Sequence, residues 1–312
     1  MAIPQTYRAV RFHEYGDAGV LNVEELPLTA PGPGEVLVEV RAAGINPGEI
    51  AIRSGATKDL FPATFPSGQG SDLAGVVLAV GDGVEDPQVG EEVLGWSGAR
   101  SSQASHVVVP AGQLIPKPAA LGWEEAGALY VAGVTAYAAV RAVTPIAGDT
   151  VAVSAAAGGV GSLVVQMLRA RGVRVLGIAS QANREWLEGL GVVLVEYGDG
   201  LAGRLREAAG ADGIDAFIDL FGPEYVELAV ELGIPRHRIE TVISFEAAAR
   251  LGVKAEGSAG ATSQEVLADV ADRVATRDLN LLVAATYPLE KVADAFRDLE
   301  RRHTRGKIVL IP

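Results

Sequence analysis

The stretch Val151-Ala152-Val153-Ser154-Ala155-Ala156-Ala157-Gly158-Gly159-Val160-Gly161 sets three glycines immediately after an apolar run and before a helical stretch, Ser162–Arg171. Gly158 and Gly159 lack the β-carbon that would hold an anion away from the backbone, and Gly161 lets the helix pack close to the strand. The amides from Ala157 to Gly161 then open a helix, where they meet negative charge. The chemistry this predicts is the grip of a dinucleotide pyrophosphate; the alternative is a tight turn with no ligand. A strict G-x-G-x-x-G would need glycine at 156, where Ala156 stands, so the motif leans on its strand-turn-helix context.

The end of the next strand selects between nicotinamide cofactors. An acid there would bind the ribose hydroxyls of NAD and repel a 2′-phosphate. The chain reads Gly177-Ile178-Ala179-Ser180-Gln181-Ala182-Asn183-Arg184. Ser180 offers a hydroxyl and Arg184 a cation suited to phosphate oxygens. NADPH is the predicted cofactor.

Other chemistries are excluded or disfavoured. The chain has no cysteine, which removes disulfides, thiolate nucleophiles and Cys-ligated metals. His13, His106, His237 and His303 are widely spaced and form no ligand pair, so no metal is expected. Without a Lewis acid, quinones and carbonyl-conjugated alkenes are easier hydride acceptors than simple ketones, because the charge spreads within the substrate. A formal charge of −13 argues against nucleic acid as a partner. The N-terminus lacks a basic start followed by an apolar run, so a cytoplasmic protein is expected. The uncharged stretches Ala126–Val140 and Val151–Leu168 are interrupted by glycine or polar residues, and membrane insertion is not expected.

These residues need elements to position them. With 312 residues the chain is long for one core, and two domains are expected. Up to about Leu121 it reads as short strands punctuated by Gly and Pro: Tyr7–Phe12, Asn22–Leu26, Glu35–Val40, Leu73–Val80 and Glu92–Gly95. Beyond that point strands alternate with helical stretches, at Thr150–Ser154, Val173–Ala179, Val192–Val195, Ile214–Leu220, Arg238–Ile243 and Val253–Gly257. An α/β chain results, with a mostly β first domain and a doubly wound parallel sheet. A helix over Leu289–Arg302 and a strand over Lys307–Ile311 close it.

Taken in order, Arg8-Ala9-Val10-Arg11-Phe12, Pro31-Gly32-Pro33-Gly34-Glu35-Val36-Leu37-Val38, Ala43-Gly44-Ile45-Asn46-Pro47, Gly70-Ser71-Asp72-Leu73-Ala74-Gly75-Val76-Val77, Ala132-Gly133-Val134-Thr135-Ala136-Tyr137 and Gly306-Lys307-Ile308-Val309-Leu310 resemble the zinc-independent quinone oxidoreductases of the medium-chain dehydrogenase/reductase superfamily. The turn is similar to that family's A-x-x-G-x-x-G through Ala155, Gly158 and Gly161. The resemblance implies a GroES-like domain over 1–121 completed by 286–312, a Rossmann domain over 122–285, and a homodimer. It implies a 2′-phosphate pocket of Ser180, Arg184, Tyr197 and Arg302, a cofactor contact at Thr135, and Ile243 and Ser244 bordering the nicotinamide. Asn46 matches a polar residue at the nicotinamide that could orient the ring or a substrate carbonyl, and is the one catalytic candidate; an Asn-Pro turn is its alternative role. Thr57 stands where many relatives carry a tyrosine that thioester-type enoyl reductases can use as proton donor, which argues against that subfamily, and Ser101–His106 departs from the usual sequence, which points to an unusual substrate pocket. The implied activity is NADPH-dependent reduction of a quinone or enone. The alternatives are an NADPH-binding redox-responsive or structural protein with little turnover, and a secondary-metabolism enoyl reductase.

Overall fold

The computed structural model describes residues 3–312. In chain order come β1 (Thr6–Phe12), β2 (Asn22–Pro27), β3 (Glu35–Gly44), α1 (Pro47–Ser54), β4 (Ser67–Gly68), β5 (Asp72–Val80), β6 (Glu92–Trp96), β7 (His106–Pro110), β8 (Leu114–Pro116) and α2 (Trp123–Gly127). They are followed by α3 (Leu129–Ala142), β9 (Thr150–Val153), α4 (Gly159–Ala170), β10 (Arg174–Ala179), α5 (Arg184–Gly189), β11 (Val193–Glu196), α6 (Leu201–Ala209), β12 (Ala216–Asp219), α7 (Pro223–Glu231), β13 (Ile239–Thr241) and α8 (Phe245–Leu251). The last elements are α9 (Gln264–Ala275), β14 (Val283–Pro288), α10 (Val292–Glu300) and β15 (Lys307–Ile311). Among the described residues no helix is long and apolar enough to cross a membrane.

The chain divides into two compact units. The first comprises residues up to Val131 with Ser263–Asp278 and from Leu282 to the end; the second comprises Ala132–Thr262 with Leu279–Leu281. The expected boundaries, at 121 and 286, therefore shift: α9 and β14 group with the first unit, through contacts such as Gln264 Nε2 donating to the Leu114 carbonyl at 2.6 Å.

The first unit holds a seven-stranded sheet in the order β14-β15-β3-β5-β6-β8, with β7 also paired to β3, and a three-stranded sheet β2-β1-β4. Gly75 is required where β5 crosses β3, since a β-carbon there would sit 2.1 Å from the Glu39 carbonyl oxygen. Phe12, Ile45, Phe296, Ile308 and Leu310 share one apolar cluster, which ties the C-terminal strand into the N-terminal fold.

The second unit is a five-stranded parallel sheet, β11-β10-β9-β12-β13, with the direction of winding reversing at β9. Its strands are buried on both faces, hence the continuous apolar runs. The expected sixth strand at 253–257 is reduced to a single bridge between Glu240 and Lys254. The physical reason is in the next residues: Gly257 takes a positive φ of 53° and the chain turns into a short 3-10 segment. The expected strand at 238–243 ends at Thr241, so Ile243 and Ser244 lie beyond it, with Ser244 leading into α8. The helix expected over 289–302 is a 3-10 turn followed by α10.

Candidate active site

All strands of the second unit point the same way, so the turn after β9, the tips of β10 and β11, and the segments after β12 and β13 lie along one carboxyl edge. That edge, at the point where winding reverses, is where open α/β sheets bind ligands. Ala155 takes φ 47° and Gly158 is the residue before α4, with no side chain capping the helix. A β-carbon on Gly161 would lie 2.1 Å from the Ala155 carbonyl oxygen, so only glycine allows the turn to close on the helix. A β-carbon on Gly158 would approach nothing nearer than 3.3 Å. Gly161 is thus fixed by packing and the Gly158 amide donates to the Ala155 carbonyl at 2.9 Å, while Gly159 and Val160, part-exposed in the first turn of α4, leave a cradle of helix-start amides that fits a pyrophosphate.

At the neighbouring tips, Ala179 of β10 is in register with Glu196 of β11, which sets Ser180 beside Tyr197. Ser180 Oγ accepts from Asn183 Nδ2 at 3.0 Å. Arg184 opens α5 and donates to Glu188 at 2.6 Å and to Gln181 at 3.1 Å, and Tyr197 is 47% exposed. Arg302 lies in the first unit, in the turn after α10, at φ 56°. Thr135 is buried on α3. Ile243 is exposed and Ser244 buried.

Beneath that edge lies a residue the sequence did not flag. Asp219, fully buried at the end of β12, accepts five hydrogen bonds: Oδ1 from Ser154 Oγ (2.9 Å) and the Phe221 and Gly222 amides (2.9 and 3.1 Å), Oδ2 from Thr241 Oγ1 (2.7 Å) and Ser244 Oγ (3.1 Å). Thr241 Oγ1 in turn accepts from the Ile243 and Ser244 amides at 3.3 and 3.0 Å. One carboxylate therefore sets the ends of β9, β12 and β13 together. The only sequence signal was a lone acid ending an apolar strand.

In the first unit Asn46 precedes α1 and is buried. Its Nδ2 donates to Asp72 Oδ2 at 3.1 Å and to Glu49 Oε1 at 3.3 Å, and its Oδ1 accepts from the Lys307 ammonium. Lys307 also donates to Asp72 Oδ2 and to the Ile45 carbonyl, both at 3.1 Å. Glu49 reaches back to the Asn46 amide (3.1 Å) and accepts from the Ser71 amide (3.2 Å) and Gln103 Nε2 (3.0 Å). Burial, aided by the nearby Asp72 carboxylate, pushes the Glu49 carboxyl up to about 7. The spacing of Asn46 and Glu49 is readable as a helix start; Lys307, distant in sequence, carried no such signal. Tyr130 is buried and stacks on Trp96 with centroids 4.8 Å apart.

Two family models match the chain: the alcohol dehydrogenase GroES-like domain over residues 32–119 and the zinc-binding dehydrogenase over 189–310. Rat quinone oxidoreductase is 29% identical, covering 96% of this chain and 95% of that protein. The rat synaptic vesicle membrane protein VAT-1 homolog is 30% identical over 91% of this chain and 78% of its own length. Escherichia coli quinone oxidoreductase complexed with NADPH superposes with a TM-score of 0.88 at 27% identity, covering 98% of this chain and all of that one (100%). The chain belongs to the quinone oxidoreductase family of the medium-chain dehydrogenase/reductases.

The second family model carries zinc in its description, but the donor atoms of this quinone oxidoreductase relative do not fit that ion. The chain has no cysteine, and among the described residues no three His, Asp or Glu converge. Where Asp72 and Asn46 do present oxygens, the Lys307 ammonium fills the place of a cation.

Proposed function

We propose that this chain is an NADPH-dependent reductase that delivers hydride to a quinone or an α,β-unsaturated carbonyl compound without zinc. The observation that carries the reading is the carboxyl edge of the parallel sheet, where the uncapped start of α4 adjoins a β10 tip that bears Ser180 and Arg184 and no acid. The backbone from Ala157 to Gly161 takes the pyrophosphate; Ser180, Arg184 and Tyr197 take the 2′-phosphate; Thr135, Ile243 and Ser244 complete the cofactor site of the second unit. When bound, the reduced nicotinamide supplies the hydride.

Asn46 is the residue of this chain that orients the reacting groups. Its Nδ2 hydrogens are spent on Asp72 and Glu49 and its Oδ1 is held by Lys307, a donor with no acceptor capacity. What remains is a lone pair on Oδ1, which matches an N–H or O–H on a reactant rather than a carbonyl oxygen. Charge developing on a quinone or enone is spread by the substrate, and the proton follows from water, so catalysis rests on positioning.

The test is NADPH oxidation by purified protein with a panel of quinones and short enones, run in parallel with NADH. NADPH-selective turnover of one acceptor class supports the reading. Tight NADPH binding with no turnover across the panel overturns the simple reductase and favours a binding role or a specialised substrate.

A further inference from the structure

The turn that carries Tyr197 is Glu196-Tyr197-Gly198-Asp199-Gly200, with Gly198 at φ 99° and Gly200 at φ 80°. Two left-handed glycines make its path loose, and two acids make it unfriendly to phosphate. Both features are answered by one side chain. Arg204, on the first turn of α6, folds back so that Nε and Nη2 donate to the Glu196 carbonyl at 3.0 and 2.8 Å, Nη2 also to Gly198 at 3.0 Å, and Nη1 to Asp199 at 2.7 Å. Each nitrogen of the guanidinium is engaged with backbone oxygen. The carbonyls on both sides of Tyr197 are thereby turned onto a cation, and the exposed tyrosine is presented beside Ser180.

We infer that Arg204 is a positioning residue that determines the preference for NADPH over NADH, by holding the Tyr197 turn and neutralising its carbonyls rather than by touching the phosphate. The inference rests on the reading of Ser180 and Tyr197 as part of the 2′-phosphate pocket. Arginine suits the role because its planar fork spans several carbonyls at once, which a lysine ammonium does not.

The experiment is calorimetric titration of NADPH, NADH, 2′,5′-ADP and 5′-AMP into the wild-type chain and into Arg204→Met, Arg204→Lys and Tyr197→Ala, with thermal unfolding of each. Arg204→Met keeps the stem and removes the donors and charge. It should weaken NADPH and 2′,5′-ADP about tenfold or more, and NADH and 5′-AMP less than about threefold, a selective loss of the size expected for charge-assisted contacts. Arg204→Lys should fall between, and if the methionine variant does not fold the lysine variant decides alone. Equal weakening of all four ligands, or none, would overturn the inference as long as Tyr197→Ala loses 2′-phosphate selectivity. If Tyr197→Ala keeps that selectivity, it is the pocket assignment itself that fails.

Discussion

Two buried polar networks, one in each unit, solve the same problem in opposite ways. Around Asp219 a single carboxylate meets five donors, all hydroxyls or backbone amides, and no counter-ion is present in the network. Around Asn46 two carboxylates and an ammonium meet with two side-chain amides, and nearby Gln69 Nε2, Ser102 Oγ and Gln103 Oε1 are buried without a protein partner. The first arrangement is a fixed acceptor that sets strand ends in place. The second balances charges, so its state depends on pH and on each partner being present. Pre-organisation by neutral donors is robust, whereas pre-organisation by ion pairing can be rewritten by one substitution.

The largest effect is expected from breaking the neutral network. Asp219→Ala would leave three hydroxyls and two amides without their acceptor, at a cost on the order of 5 kcal/mol. Chemical denaturation should show the loss, and titration should show weakened NADPH binding through displaced Ile243 and Ser244. A variant with unchanged stability would contradict the role given to Asp219.

In the charged network, Lys307→Met alone leaves Asp72 buried and unpaired and should cost about 3 kcal/mol. Adding Asp72→Asn removes the orphaned charge and should recover most of the stability, an escape with no counterpart at Asp219. The new amide would face Asn46 Nδ2 as a donor and force the Asn46 amide to turn. The double variant is therefore expected to fold, to bind NADPH, and to turn over at least about tenfold more slowly, a barrier change of about 1.4 kcal/mol. Normal turnover in a folded double variant would remove Asn46 orientation from the account.

The pH dependence sharpens the contrast further. Burial raises both Glu49 and Glu240 from 4.5 to about 7, so the folded chain binds more protons than the unfolded chain between those values. Stability is then fully present below 4.5, falls as pH rises to about 7, and stays lost above it, by up to about 3 kcal/mol per group. Glu240 Oε2 has no protein partner, while Oε1 accepts the Glu256 amide at 2.7 Å. Glu240→Gln can place its amide at the empty side, and should stabilise the chain at pH above 7 by about 1 to 3 kcal/mol while leaving acid stability unchanged. Glu49 accepts four donors, so Glu49→Gln should flatten the pH slope yet lower stability throughout. Unfolding curves across pH check both, and an unchanged slope in either variant would show that its carboxyl does not titrate there.

The contrast also explains what was legible in the sequence. The glycine-rich turn, the acid-free tip of β10 and the final strand Lys307–Ile311 are local patterns, and each stands where its local chemistry demanded. The sixth strand was misread because Val253 and Ala255 alternate with Lys254 and Glu256 as a half-buried strand would, yet Gly257 at positive φ follows and pairing ends at one bridge. The domain boundary shifted because α9 is amphipathic either way, and which unit receives its apolar face is a tertiary fact. Asp219 and Lys307 escaped notice because their partners come from distant strands. Periodicity describes faces; it does not describe which buried charges will meet.

The central claim, selective hydride transfer from NADPH, is tested most directly by NADPH carrying deuterium at the transferred position, with one accepting quinone or enone under single-turnover conditions. The account predicts a primary isotope effect on NADPH oxidation and markedly slower oxidation of NADH at equal concentration. An absence of oxidation with every acceptor, or equal rates with NADPH and NADH, would contradict it.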